Sequence, residues 1–243
     1  MDFYTKIINR YSVREYDMTK PVSQEDYKKI IDVVESAPTS SNWHSSSVIV
    51  VKNREILEKL GATSKYTGSI KTCDMFLVFV ADYNRMALAQ QSAPELVYNN
   101  HSSEAYTVAV GDAFIQATMA QDMAAELGLG TCFLGLARTM QKELIELLNI
   151  KGQAFPVIGL TIGHIKEQGV VKPKLTRVFN DQYDINRLEQ DIKDYELPLQ
   201  QYFEKVAPGK KAWSYKEATI KSASSYRMDT ELIEDIWGLK LQK

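Results

Sequence analysis

Arg10, Ser12 and Arg14 alternate with Tyr11 and Val13 near the start of the chain. In an extended backbone, alternate side chains share a side, so these three would present two guanidinium forks and a hydroxyl within one small volume. That donor set suits a phosphate; the same residues also read as a solvated charged stretch. Pro38-Thr39-Ser40-Ser41-Asn42-Trp43-His44-Ser45 gathers hydroxyl and amide groups beside a flat apolar ring. Such a tract can line a polar ligand, or be an ordinary loop. Lys172-Pro173-Lys174 aims two ammonium groups the same way, and otherwise reads as a surface loop with two lysines. Together the three segments imply a ligand with a phosphate at one end and a hydrogen-bonding planar ring at the other.

Several other chemistries are excluded by pattern. The chain has no G-x-x-x-x-G-K-[ST], H-E-x-x-H or G-x-S-x-G, and His44, His101 and His164 are too widely spread to suggest a metal site. None of the three is nominated as catalytic, and no metal is expected. Gly128-Leu-Gly130-Thr-Cys-Phe-Leu-Gly135 resembles a dinucleotide fingerprint, but a helix precedes it and a strand follows, the reverse of the order such a loop needs. Its first glycines are expected to end the preceding helix. Cys73 and Cys132 show no CxxC or zinc spacing and are expected as buried thiols.

These segments must be held by the elements around them. Ile30, Ile31, Val33 and Val34 predict a helix from about 24 to 36, capped by Ser23 and closed by Pro38. Short apolar runs at 47–51, 75–81, 133–136 and 156–165 predict buried strands. A long helix from about 104 to 127 carries Ala109, Ala113, Ala117, Ala120 and Ala124 on one smooth face. Small side chains admit close approach: this is either an ordinary core helix or, as the preferred expectation, a central helix that also packs against its copy in a homodimer. Without regular βαβ alternation the class is α+β. After about residue 182 the chain turns polar: a helix bearing Leu188, Ile192 and Tyr195 is expected to break at Pro198, and Lys210-Lys211 follow Pro208-Gly209. The division expected is a domain over 1–182 and an extension over 183–243.

Composition agrees with a globular protein. The 243 residues are 44% hydrophobic and 25% charged, enough to bury roughly three-quarters of the unfolded surface. Against 31 acidic residues stand 29 basic ones, a net charge of −2, so no bulk field draws the chain to nucleic acid or to an anionic membrane. The longest apolar run, Met75–Ala81, falls far short of the roughly 20 residues that span a bilayer, and the first residues show no secretory pattern. A cytoplasmic protein is expected.

Arg10-Tyr-Ser-Val-Arg14-Glu-Tyr16 resembles the R-R-S-x-R-x-[FY] opening of the nitroreductase family of FMN-dependent oxidoreductases, and Ala37-Pro-Thr-Ser-Ser-Asn42 resembles that family's next motif. Leu127-Gly-Leu-Gly130 with Phe133-Leu-Gly135, then Pro156 to Gly163, then Lys172-Pro-Lys174-Leu175 follow in the family's order and resemble its larger branch, which holds flavin reductase P and the NADPH-dependent, oxygen-insensitive nitroreductases. The resemblance implies an α+β homodimer with a mixed, mainly antiparallel sheet and two FMN sites shared between subunits. Carried over by position, Arg10, Tyr11, Ser12 and Arg14 would hold FMN, and Lys172 and Lys174 would complete its phosphate site. Ser40, Ser41 and Asn42 would come from the partner chain, and backbone groups of Leu134, Gly135 and Leu136 would face the flavin N5 edge. Lys210, Lys211 and Arg227, in an extension that covers the active site, would serve NADPH. Tyr11 and Lys174 each stand where the family usually has an arginine, which weakens bidentate phosphate contact.

The implied activity is two-electron, ping-pong hydride transfer from NADPH or NADH through flavin N5 to nitroaromatics, quinones or free flavins. Two other roles stay open at this point: chiefly supplying reduced flavin or forming peroxide, and binding flavin without turnover.

Overall fold

The computed structural model describes residues 1–225 and 229–238. In chain order the elements are α1 (Phe3–Ile8), α2 (Gln24–Glu35), β1 (Ser46–Val51), α3 (Arg54–Ala62), α4 (Gly68–Thr72), β2 (Met75–Asp82), α5 (Asn84–Gln91), α6 (Ser103–Glu126), β3 (Gly130–Leu134), α7 (Gln141–Leu148), β4 (Ala154–Gly163), α8 (Arg187–Val206), α9 (Tyr215–Ser225) and α10 (Thr230–Trp237). Short 3-10 turns lie at Ser40–Asn42 and Gly135–Arg138. The strands form one sheet in the order β1-β2-β4-β3, antiparallel throughout. A single parallel bridge, Ser12 with Thr131, adds the mixed character. This is the expected α+β class.

Central strands β2 and β4 read as continuous apolar runs because both of their faces are covered. On one face Met75, Leu77, Phe79 and Ala81 pack with α6 and α2. On the other, Phe76, Val78 and Val80 pack with Leu57 and Leu60 of α3, Leu144 of α7 and Tyr16. The register of β2 on β4 shifts between Phe79 and Val80, opposite Pro156. Proline has no amide to donate, so a central strand tolerates it at such an irregularity.

Helix α6 is capped by Ser102, whose hydroxyl accepts from the Ala105 amide at 3.1 Å. It ends where Gly128 takes φ +76°, while the Leu129 amide donates to Ala124 at 2.8 Å and the Gly128 amide to Ala125 at 3.0 Å. This is the glycine termination expected from the sequence. Its alanines are buried inside this chain, against the sheet and α2. The smooth face therefore serves the core, and the half-exposed Phe114 and Ile115 lie on another face. A sheet with both faces apolar needs a closely fitting cover, and the small side chains of the alanine stripe supply it.

Two more sequence expectations differ. The strand expected over 133–136 ends at Leu134, because the Leu136 carbonyl is taken by the Thr139 and Met140 amides, both at 2.9 Å, in a tight turn. Pro198 does not break α8; it is exposed, as is Asp194, whose carbonyl loses its usual partner on the side open to solvent.

The chain divides into two compact units. One comprises Met1–Glu167 with the C-terminal segment that carries α10; the other lies within Gln168–Arg227. The sequence boundary at 182 falls inside the second unit. In the first unit α10 is anchored by Trp237, whose ring is buried among Tyr83 and Phe155 and whose Nε1 donates to the Asn100 carbonyl at 2.6 Å. In the second, the Arg187 guanidinium stacks 3.9 Å over Phe179, the Tyr195 hydroxyl donates to the Pro173 carbonyl at 3.0 Å, and Tyr195 meets Tyr215 edge-on. Among the described residues no helix is long and apolar enough to cross a membrane.

Both cysteines are buried and unpaired, as the sequence implied. Burial pushes the Cys73 thiol up to about 12 and raises Cys132 as well. Neutral thiols are poor nucleophiles, so a disulfide reagent at pH 8 should titrate neither cysteine in the native protein and both after unfolding. Tyr16, also buried, pairs with the Thr161 hydroxyl at 2.7 Å and reaches the carbonyls of Val13 and Thr161 at 3.0 and 3.1 Å. Tyr16→Phe should lower the unfolding free energy by about 1–2 kcal/mol in urea titrations, because a buried hydrogen-bonded hydroxyl is lost.

Candidate flavin site

Arg10 follows α1, which is held to the end of α6 by Lys6: its ammonium reaches the Glu126 carboxylate at 3.0 Å. Residues 10–16 then run extended along the open edge of β3. Ser12 bridges Thr131 and the Val13 amide donates to the Thr131 carbonyl at 2.9 Å, while Tyr16 bridges Ile165 beyond β4. This close approach requires glycine at 130, where a Cβ would stand 2.8 Å from side-chain atoms of both Val13 and Ile165. Val13 and Tyr16 turn inward, and Tyr11 packs against the same core. Ser12 and Arg14 are exposed about buried Val13, while Arg10 and Tyr11 are both half-buried and Glu15 is exposed before buried Tyr16, so strict alternation holds over 12–14 and ends there.

Around these groups, Arg14 donates to the Ser12 carbonyl at 3.3 Å. Burial holds the Cys132 thiol above its ordinary value, opposed by the Arg14 charge and a hydrogen bond with Ser12. Burial likewise raises the carboxyl of Asp122 on α6, with the Arg10 charge opposing it. Gln121, one residue earlier and buried, donates to the Thr131 hydroxyl at 3.3 Å and so ties α6 to the residue that Ser12 bridges. Tyr11 does not share the side of the arginines; its hydroxyl donates to the Glu167 carbonyl at 3.5 Å.

Ser40, Ser41 and Asn42 are exposed on a 3-10 turn before β1, at the opposite edge of the sheet from β3. Ser41, Asn42 and His44 have φ of 49°, 58° and 50°, the left-handed region. The base of this loop is gathered onto buried Asp112 of α6. Its carboxylate accepts from the Thr39 hydroxyl at 2.5 Å, the Ser45 hydroxyl at 2.7 Å, and the amides of Ser40 and Ser45 at 3.2 and 3.4 Å. The His44 Nε2 and Asn42 Oδ1 lie 3.1 Å apart. Asp112 was not found by sequence reasoning; its signal was a lone acidic residue within an apolar helix face.

Leu134 closes β3 and is buried, and Gly135 and Leu136 open the following turn, where a Cβ at Gly135 would come within 3.1 Å of the Arg138 guanidinium. The remaining candidates belong to the second unit. Lys172 holds its ammonium over the rings of Tyr202 and Phe203 at 5.9 and 5.8 Å. Lys174 lies two residues on in the same irregular segment. Lys211 pairs with Glu217 at 3.1 Å and stands over Trp213 at 5.4 Å, and Lys210 is exposed beside it. Arg227 lies outside the described residues.

Residues 7–164 match the sequence pattern of the nitroreductase family. The FMN reductase [NAD(P)H] of Bacillus subtilis (strain 168) is 32% identical over 239 residues, covering 96% of this chain and 95% of the relative. The NADPH-dependent oxidoreductase of Staphylococcus aureus (strain USA300) is 30% identical over 223 residues, covering 87% of each. Among solved structures, NfrA2 of B. megaterium superposes with a TM-score of 0.91 at 27% identity over the whole of both chains. With the motifs of residues 10–16 and 37–42 on one fold, and with this coverage, the chain belongs to the nitroreductase family of oxidoreductases.

Proposed function

We propose that this chain is an FMN-dependent NAD(P)H oxidoreductase that delivers two electrons to nitroaromatics, quinones or free flavins. The observation that carries the reading is the outward row Arg10, Ser12, Arg14, fixed along β3 by backbone pairing and by the inward packing of Val13 and Tyr16. Two guanidinium groups and a hydroxyl within five residues of a segment bridged to β3 form a donor set that fits a phosphate-bearing cofactor. Free flavin as acceptor, and the protein as a supplier of reduced flavin, is supported by the B. subtilis relative, an FMN reductase.

FMN, when bound, supplies the two-electron hydride chemistry. The protein's own residues bind and orient. Arg10 and Ser12 would hold the phosphate, and the Arg14 charge would hold phosphate or the pyrimidine edge, where a nearby cation favours electron uptake. Tyr11 acts through packing behind this row. Lys172 and Lys174 are assigned to the same anion by the family resemblance, as are the backbone groups of Leu134, Gly135 and Leu136 to the ring. The scheme requires no dedicated general base.

We further propose a homodimer with two shared sites. Ser40–Asn42 and Arg10–Arg14 are attached at opposite edges of one sheet, which favours their meeting through a second copy. Exposed Phe3, Tyr4 and Ile8 on α1 and half-exposed Phe114 and Ile115 on α6 offer an apolar surface for it. Lys210 and Lys211 are proposed as cations for the NADPH 2′-phosphate, with the extension from 183 as a cover over the site.

The first test is a visible spectrum after FMN reconstitution and desalting, repeated after anaerobic NADPH addition. A retained flavin band that bleaches is expected; a retained band that neither NADPH nor NADH bleaches would reduce the protein to a flavin binder. Arg14→Ala should weaken FMN binding by about 10- to 100-fold, the worth of one charge-assisted hydrogen bond. Lys210→Ala with Lys211→Ala should raise KM for NADPH about three- to tenfold and leave NADH unchanged, since exposed ion pairs are weak individually. An unaltered NADPH/NADH ratio would remove the coenzyme assignment.

A further inference from the structure

The loop at 39–45 pays for its shape in a way that ordinary connections between a helix and a strand do not. Three of its four residues from Ser41 to His44 are non-glycine residues in left-handed backbone, each unfavourable alone. Such a conformation persists where surrounding contacts over-determine it, and here they converge on one side chain. Asp112 is 3% exposed in the middle of α6, and among the described residues it has no ion-pair partner. Oδ2 accepts from the Thr39 and Ser45 hydroxyls and the Ser45 amide, and Oδ1 accepts from the Ser40 amide. The Thr39 hydroxyl oxygen in turn accepts from the His44 amide at 2.9 Å. Both ends of the loop are thus drawn to one carboxylate, and the stretch between them bulges outward with Ser41 and Asn42 exposed.

We propose that Asp112 is a positioning residue for flavin binding: by pinching the base of the loop it presents Ser40, Ser41 and Asn42 in their binding conformation before any ligand arrives. The inference rests on the flavin reading above. A buried carboxylate is costly without compensating donors, and four donors from one loop supply the compensation only in this loop geometry. Asparagine in its place offers one acceptor oxygen and turns a donor toward hydroxyls and amides that need acceptors. The loop would then be free to leave the left-handed conformation, and the ordering cost would fall on ligand binding.

The test compares the wild type with Asp112→Asn by FMN titration of the folded protein, by visible circular dichroism of the bound flavin, and by amide exchange of residues 40–45 without flavin. Asp112→Asn is expected to weaken FMN by at least about tenfold, alter the flavin dichroism and speed loop exchange, with far-ultraviolet dichroism unchanged. Thr39→Ser, which keeps the hydroxyl, should bind as the wild type does, and Thr39→Val should follow Asp112→Asn; these two serve alone if Asp112→Asn does not fold. Faster loop exchange with unchanged FMN affinity would make Asp112 a structural anchor only and overturn the proposal. A wild type that retains FMN beside an Asp112→Asn protein of equal affinity overturns this inference and leaves the flavin reading standing. A wild type that retains no FMN overturns both.

Discussion

A sheet whose two central strands are almost wholly apolar must be covered on both faces, and the rest of this structure follows from that requirement. Strand β4 is buried along its whole length and β2 at every residue but Asp82. One cover is α6, whose alanines let its backbone lie close to the sheet; the other is the group of shorter helices with Leu57, Leu60 and Leu144. Burial of this kind is the main favourable term in folding, and it leaves edge strands β1 and β3 as the places where polar groups can face outward. Both candidate binding segments lie at these edges.

Helix α6 also acts as a common spine. Asp112 fixes the loop before β1, and Gln121 fixes Thr131 next to Ser12, nine residues further along or about 13 Å of helix rise. Both polar residues are buried; the partners of Asp112 include Ser40 of a candidate flavin-binding segment, and the partner of Gln121, Thr131, is bridged by the candidate Ser12. Polar groups in such surroundings cost stability unless fully partnered, so their placement couples the integrity of the core to the shape of the site.

The edge segment 10–16 shows the same economy. Its inward residues Val13 and Tyr16 belong to the core with Tyr11 packed beside them, its backbone bridges β3 at Ser12, Glu15 pairs with Lys166, and Ser12 and Arg14 are exposed. Gly130 and Gly163 are where this segment comes closest: a Cβ at 130 would overlap Val13, and one at 163 would stand 3.0 Å from the Tyr16 ring. The arginines are therefore carried by a strand that cannot shift without disturbing packed core residues, which is how a donor set keeps its geometry before a ligand binds.

By itself the sequence determined the class, the main strands and the long helix with its glycine end, because these depend on local periodicity within a few residues. Only the tertiary structure decided what the alanine stripe faces, since a smooth helix surface fits a sheet and a second helix equally well. It also decided the fate of Pro198, where solvent exposure rather than residue type governs the cost of a missing amide. Asp112 is the clearest case. Its place on an apolar helix face marks it as unusual, but its partners lie 67 to 73 residues away in sequence, so the contact that matters exists only once the sheet has brought α6 beneath the loop.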